Sequence, residues 1–234
     1  PEISAHTFID SVNSILFEHS HDHHLKFYHD PEKFEIFSSG EDAVIDSLER
    51  EQYRRINFGV RKVEILASNI GLLTLNKFQQ FEDVRQVITG AMMMLANSDA
   101  IIIDLRYNGG GDGRTSQFIQ SFFLTEERFF ENENRMFKRN IFNEFKNEFP
   151  SSCKRLEKVP LYILTGLGTF SASEGFTLDL QKRNRATIVG TQTKGGGNSG
   201  GSVALSYGCL VFVPTGSTGS EIEGKGITPD FVID

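Results

Sequence analysis

Two stretches of this chain run through the same order of events: a short aliphatic run, a glycine-rich turn, then a segment of helical length. The first passes from Ala100 to Leu105 through Asn108-Gly109-Gly110-Gly111 into Thr115 to Phe123. The second passes from Val159 to Leu164 through Gly166-Leu167-Gly168-Thr169-Phe170 into Ser171 to Arg183, with a further strand-like run from Ala186 to Val189. Aliphatic runs this short, bounded by glycine, read as buried strands. Together with the amphipathic segment Glu82 to Ala96, this pattern predicts an α/β layer architecture over residues 81–234. The two runs share only their order, and no fixed-period repeat underlies them.

Upstream the pattern changes. Residues 6–17 read as a helix, followed by the histidine-dense Glu18-His19-Ser20-His21-Asp22-His23-His24-Leu25-Lys26-Phe27-Tyr28, which turns into an alternating run. Residues 41–55 read as a short polar-faced helix, and Val60 to Leu66 and Ile70 to Phe78 as strands by their β-branched, alternating content. Residues 1–80 are therefore expected to form a small N-terminal α+β lobe carrying the histidine cluster. The stretch from Arg128 to Lys158 has no clear period and reads as a strand plus an exposed excursion. After the glycine-rich Lys194 to Gly201 comes a hairpin-like pair, Gly201 to Tyr207 and Cys209 to Pro214.

Composition narrows the function classes. The 234 residues include 24 Lys plus Arg against 31 Asp plus Glu, a net charge of −7 with no basic cluster, so phosphate attraction has no source and no nucleic-acid partner is expected. The longest apolar runs fall far short of the roughly 20 residues of a membrane helix, so no membrane span is expected. Two cysteines, Cys153 and Cys209, are too few for a disulfide framework or a thiolate metal cluster. The chain begins at Pro1 rather than Met, which leaves room for a removed signal sequence, lipid anchor or upstream domain.

Four constellations carry chemistry. At Asp104-Leu105-Arg106-Tyr107-Asn108-Gly109-Gly110-Gly111 the glycines can expose backbone N–H groups to an anion or a developing oxyanion, although a flexible turn reads equally well. No Gly-Lys-Ser/Thr follows, so this is not a nucleotide phosphate loop. Ser171 opens the second helix, where the positive end of the helix dipole suits a nucleophile. The Ser171-x-x-Glu174 spacing equally suits a capping box. Its surroundings lack the Gly-x-Ser-x-Gly elbow of α/β-hydrolases. In the histidine cluster, His19, His21 and His23 would share one face of a strand, as metal ligands can; the alternative is a solvated cluster with one special member, since neutral imidazole is the usual acceptor of a serine proton. Finally, Glu221-Ile222-Glu223-Gly224-Lys225-Gly226-Ile227-Thr228-Pro229-Asp230 is a tight turn feeding a last strand, with Glu223 by itself an ordinary surface carboxylate.

Taken in order, Ile103-Asp104-Leu105-Arg106-x-Asn108-Gly109-Gly110-Gly111, Ser171-Ala172-Ser173-Glu174, Val189-Gly190-x-x-Thr193 and Gly224-x-Gly226-Ile227-x-Pro229-Asp230 resemble the landmarks of the tail-specific serine peptidases. The likeness covers residue 60 to the end and, before that, rests on Asp22-His23-His24-Leu25. It implies a crotonase-like (ClpP/crotonase-type) α/β core and a nucleophile at Ser171. It also implies an oxyanion hole from the backbone of Gly110, with Gly109 as neighbour, and Ala172. The branch whose base is a lysine is not matched, because Gly196 stands at the lysine position. Lys182 lies eleven residues along the helix, about 16 Å from Ser171, and Lys194 is the second choice. The tricorn-like branch uses a histidine base upstream and a glutamate near the C-terminal turn, which implies His24 and Glu223, although His23 stands where that branch carries serine. Only 35 residues separate His24 from Val60, too few for a PDZ domain. The resemblance further implies a peptide or protein substrate, neither metal nor organic cofactor, and an extracytoplasmic location.

Two rival readings share the fold. One is a non-catalytic binding module whose cleft holds an apolar ligand, consistent with 21 Phe in the chain; the other is an acyl-CoA enzyme, for which Ser171 has no evident use.

Overall fold

Both strand–turn–helix runs form, and they share a sheet. The computed structural model describes residues 3–39, 50–129, 142–146, 148–149, 155–217 and 221–233. Residues 53–194 and 227–234 form one compact unit, and residues 1–52 and 195–226 another. This grouping differs from a division at residue 80. Its physical basis is strand pairing, which joins residues far apart in sequence within each unit.

In the larger unit, strands β2 (Val60–Leu66), β3 (Ile70–Leu75), β4 (Ala100–Asp104), β5 (Leu161–Thr165), β6 (Thr187–Gly190) and β9 (Phe231–Val232) form a six-stranded sheet in the order β2-β3-β4-β5-β6-β9. Only the β2–β3 pair is antiparallel. The sheet is thus mostly parallel, which accords with the expected α/β architecture, and it takes in two strands expected to belong to an N-terminal lobe. Alternate residues point into the core: Leu73, Ile101, Ile103 and Ile163 are fully buried, whereas Ile102 is half-buried and Tyr162 exposed.

Helices α3 (Phe81–Leu95), α4 (Gly113–Phe123), the short α5 (Glu126–Phe129) and α6 (Ala172–Lys182) turn apolar residues to the core of this unit, with α3 packed on α4 and α4 on α5 and α6. Asp112 caps α4 by accepting from the Thr115 N–H at 2.7 Å. The phenylalanines fill the core. Phe78, Phe118, Phe122, Phe123, Phe142, Phe145 and Phe176 are almost fully buried, and Phe118 meets Phe81, Phe122 and Phe145 in edge-on pairs 5.2–5.3 Å apart. Packing thus accounts for these phenylalanines, which belong to the core and line no cleft. The strand expected between Arg128 and Lys158 is not found among the described residues of that stretch, where residues 142–146 are helical.

Arg185 ties this core together. Its guanidinium, buried and pushed down to a pKa of about 10 by desolvation, stays charged at neutral pH and donates to three carbonyls: Nε to Phe123 at 2.8 Å, Nη2 to Leu156 and Val159 at 2.7 Å each. Replacing it with Met leaves those carbonyls without their donors. The expected loss is about 3 kcal/mol, or a Tm lower by roughly 6–12 °C for a chain of this size. A circular-dichroism melt of Arg185→Met checks it; an unchanged Tm would mean that water satisfies the carbonyls equally well.

In the smaller unit, β1 (Lys26–His29), β8 (Cys209–Ser217) and β7 (Asn198–Ala204) form an antiparallel sheet in the order β1-β8-β7. Helix α1 (Ala5–Ser20) is tied to β1 through Asn13, whose side chain exchanges two hydrogen bonds with the Phe27 backbone at 2.8 and 2.9 Å. Ser4 caps α1, and His21, in the left-handed conformation, ends it. The expected helix over 41–55 lies for the most part outside the described residues, of which 50–55 are helical.

Candidate active site

In a parallel sheet the loops leaving the carboxyl ends of neighbouring strands meet, and here those are the loops after β4 and β5. Asn108 binds them together. It is wholly buried; its carbonyl accepts from the Phe170 N–H at 3.0 Å and from Ser173 Oγ at 2.7 Å. Thr169 Oγ1 adds a second tie by donating to the Leu105 carbonyl at 2.8 Å.

Ser171 stands at the N-cap of α6 with φ 58° and ψ −125°, a conformation that non-glycine residues avoid and that surrounding contacts must enforce. The glutamate half of the Ser-x-x-Glu capping box forms, so the N-cap and the candidate nucleophile are the same residue. The Glu174 carboxylate, fully buried, accepts from the Ser171 N–H at 2.9 Å and, through its other oxygen, from Thr193 Oγ1 at 2.5 Å. Thr193 Oγ1 in turn accepts from the Ile227 N–H at 2.7 Å. Two of the sequence landmarks, Thr193 and the final turn, thus act on Ser171 through one carboxylate.

Gly110 lies directly against the serine. With φ +91°, it has no room for a side chain: a Cβ there would stand 2.7 Å from Ser171 Cβ and from the Phe170 carbonyl oxygen, and 2.9 Å from the Ala172 nitrogen. Its N–H, expected among the oxyanion donors, points instead to Asn108 Oδ1 at 2.9 Å. Gly109 is exposed, and Ala172 N–H belongs to the first turn of α6, whose amides have no intrahelical acceptor. Gly110→Ala is therefore expected to displace Ser171 and to slow covalent reaction at its hydroxyl at least 10-fold, since misplacement by about 1 Å costs up to 10²-fold. The rate of labelling by a serine-directed probe, compared with that of Gly109→Ala, whose Cβ meets nothing within 4 Å, checks it; equal rates in the two variants would refute the steric account.

Of the two lysines weighed as bases, Lys182 ends α6, far along the helix axis from Ser171. Lys194 is nearer in the fold, its ammonium 4.9 Å from the centroid of the Phe170 ring.

The smaller unit holds the remaining candidates. No strand sets His19, His21 and His23 on a common face: His19 lies in the last turn of α1, His21 ends that helix, and the strand starts only at Lys26. Phe17 stacks on His23 at 4.4 Å and meets His21 edge-on at 6.2 Å. His24 points elsewhere. It is 93% buried, lies 5.6 Å from the Phe212 ring, and gathers with Asp22 and Glu223 so that one ligand atom from each lies within 4.8 Å of the others. Asp22 Oδ1 accepts from the His24 N–H at 2.7 Å and lies 3.8 Å from His24 Nδ1, while Oδ2 accepts from Asn198 Nδ2 at 2.8 Å. Glu223 Oε2 accepts from the Gly197 and Asn198 N–H groups at 2.7 and 3.0 Å. The structure thus brings together His24 and Glu223, two residues 199 positions apart.

Sequence reasoning missed Asp22 and Asn198 as members of this cluster, and Asn108 as the tie between loops. For Asp22 a signal existed: an aspartate two residues before a backbone N–H is the pattern of an Asx turn.

The sequence matches the profile of Peptidase family S41 over residues 69–233, a span that includes Gly109, Gly110, Ser171, Ala172 and Glu223 but not His24. It is 29% identical over 178 residues to the carboxy-terminal-processing protease of Bartonella bacilliformis, covering 71% of this chain and 39% of that one. To the carboxyl-terminal-processing protease of Synechocystis sp. it is 28% identical over 172 residues, covering 71% and 38%. The chain thus spans under two-fifths of the length of these relatives. Among solved structures, a protein of Bacteroides fragilis named as an S41 protease superposes with a TM-score of 0.56 at 18% identity, covering 75% of this chain and 51% of that one. A lipoprotein from Streptococcus agalactiae superposes at 0.54 with 20% identity, covering 79% and 70%.

Proposed function

Because this chain belongs to peptidase family S41, we propose that it hydrolyses peptide bonds through an acyl-enzyme on Ser171, with His24 as general base and Glu223 as orienting carboxylate. The observation that carries this reading is the Ser171 backbone: a non-glycine residue forced to positive φ at a helix N-terminus, pressed against Gly110 and anchored by a buried carboxylate. Strain of this kind persists where it serves a site, and it holds a hydroxyl in one place.

In this scheme Ser171 Oγ attacks the scissile carbonyl as His24 takes its proton. The tetrahedral oxygen accepts from Ala172 N–H and Gly109 N–H, with Gly110 able to join only if its N–H leaves Asn108. Two such donors each lower the barrier by about 3 kcal/mol. His24 returns the proton to the leaving amine, water takes the amine's place, and the same two steps in reverse order release the acid product. Glu223, fixed through Oε2, presents Oε1 to the imidazolium. The reading extends to a crotonase-type core, which the family resemblance implies and a mostly parallel sheet with packed helices supports, and it includes a peptide or protein substrate met outside the cytoplasm.

A fluorophosphonate probe followed by peptide mass mapping tests this. Covalent labelling on Ser171 is expected, abolished in Ser171→Ala; a folded protein that takes up no label would return the fold to a non-catalytic binding role.

A further inference from the structure

The Asp22, His24 and Glu223 cluster has a second chemistry. Its donors are two carboxylates and one imidazole, all in one compact unit, with Asp22 and His24 more than nine-tenths buried. Both carboxylates are oriented by the protein: Asp22 Oδ2 accepts from the Asn198 side chain and Oδ1 from the His24 N–H, and Glu223 Oε2 accepts from two backbone amides. Outer hydrogen bonds of this kind orient the carboxylates of a metal site; Asp22 Oδ1 keeps a second lone pair for a cation, and Glu223 keeps its second oxygen. For Glu223 that second oxygen, Oε1, is buried and has no hydrogen-bond partner among the described residues. A desolvated carboxylate oxygen with no donor is costly, and a cation relieves the cost.

We propose that Asp22, His24 and Glu223 bind one Zn²⁺ ion, and that this ion and the proton accepted by His24 exclude each other. The donor set selects the metal. An imidazole with two carboxylates suits zinc rather than calcium or magnesium, which take oxygen ligands, and three protein ligands leave a fourth position for water. Tetrahedral zinc with bonds near 2.05 Å spaces its ligands roughly 3.4 Å apart. The Oδ1 to Nδ1 separation of 3.8 Å is within a small side-chain adjustment of this. His21 and His23, held against Phe17, add no ligand. The binding itself does not depend on the peptidase reading. Its consequence, a zinc-blocked base and a reversibly silenced enzyme, does.

The experiment uses the full chain carrying Ser171→Ala, which leaves all three donors intact while preventing self-cleavage. Zn²⁺ titration by calorimetry, with Co²⁺ as an absorbing substitute, is expected to show one equivalent bound and a visible band of tetrahedral intensity. Affinity is expected to fall at least 10-fold on adding Glu223→Gln or His24→Ala, and about 10-fold or more with Asn198→Ala, which removes only an outer hydrogen bond. Circular dichroism of each variant separates ligand loss from unfolding. Absence of saturable binding, or binding that none of the three substitutions weakens, overturns the site. In the enzyme with Ser171 intact, Zn²⁺ is expected to slow probe labelling at least 10-fold and chelator to restore it. Full labelling under saturating zinc refutes the exclusion. No labelling even with chelator refutes the peptidase reading and leaves the calorimetric result to stand by itself.

Discussion

Replacing Ser171 with Ala is expected to lower the rate of casein or peptide-panel hydrolysis by roughly 10³–10⁶-fold while leaving the fold in place. The size of the effect follows from the role: without the hydroxyl there is no acyl-enzyme, and only substrate binding and the oxyanion donors remain. The survival of the fold follows from where the anchoring bonds sit. Glu174 grips the Ser171 backbone N–H, not its hydroxyl, and Thr193 holds the other carboxylate oxygen. Ala keeps the same Cβ and therefore the same contact with Gly110. Removal of the hydroxyl is expected to shift the Tm by no more than roughly 2–4 °C, the equivalent of about 1 kcal/mol in a chain of this size. Initial rates and a thermal melt measured on one preparation check both halves. Hydrolysis at the unaltered rate would remove Ser171 from the mechanism whatever the family.

The contrast between Ser171 and His24 shows what a sequence displays and what it hides. Around Ser171 the reading is local. An aliphatic strand, a glycine turn and a helix N-terminus adjoin one another in the chain, and the neighbouring β4 run follows the same order, so parallel pairing alone brings the two turns together. The need for glycine at 110 is likewise set by a backbone contact that the strand order dictates. Around His24 nothing is local. The residue is reached by a short strand, β1, whose partners on β8 lie 180 to 186 positions downstream (209 minus 29 to 212 minus 26), and its carboxylate neighbour comes from a turn that reads as ordinary surface. A shared face for His19, His21 and His23 required a strand through all three, but α1 continues to Ser20 and leaves two of these rings to Phe17. The grouping of the chain escaped the sequence for the same reason: long-range strand pairs, not composition shifts, decide which residues share a unit. The Asn108 side chain, which takes the Gly110 N–H, could not have been anticipated from spacing, since a glycine-rich turn offers its amides without revealing which already have acceptors.

The histidine–glutamate assignment makes the second large prediction. His24→Ala is expected to lower kcat by roughly 10³–10⁶-fold with little change in KM, because the imidazole acts on the proton and not on substrate binding. Glu223→Gln tests a finer point. The Gln carbonyl can take over the two bonds from the Gly197 and Asn198 N–H groups, and doing so turns the amide NH₂ toward the place of Oε1. A donor then faces the imidazole where an acceptor was needed, the tautomer is wrong, and kcat is expected to fall roughly 10²–10⁴-fold while the fold persists. Lys194 provides the control, since its ammonium rests on the Phe170 ring beside the nucleophile and a lysine base there would need neither His24 nor Glu223. Lys194→Met is expected to retain most of the rate. If Lys194→Met is silent while His24→Ala and Glu223→Gln turn over normally, the base is the lysine, and the buried cluster of Asp22, His24 and Glu223 has only the metal to account for it.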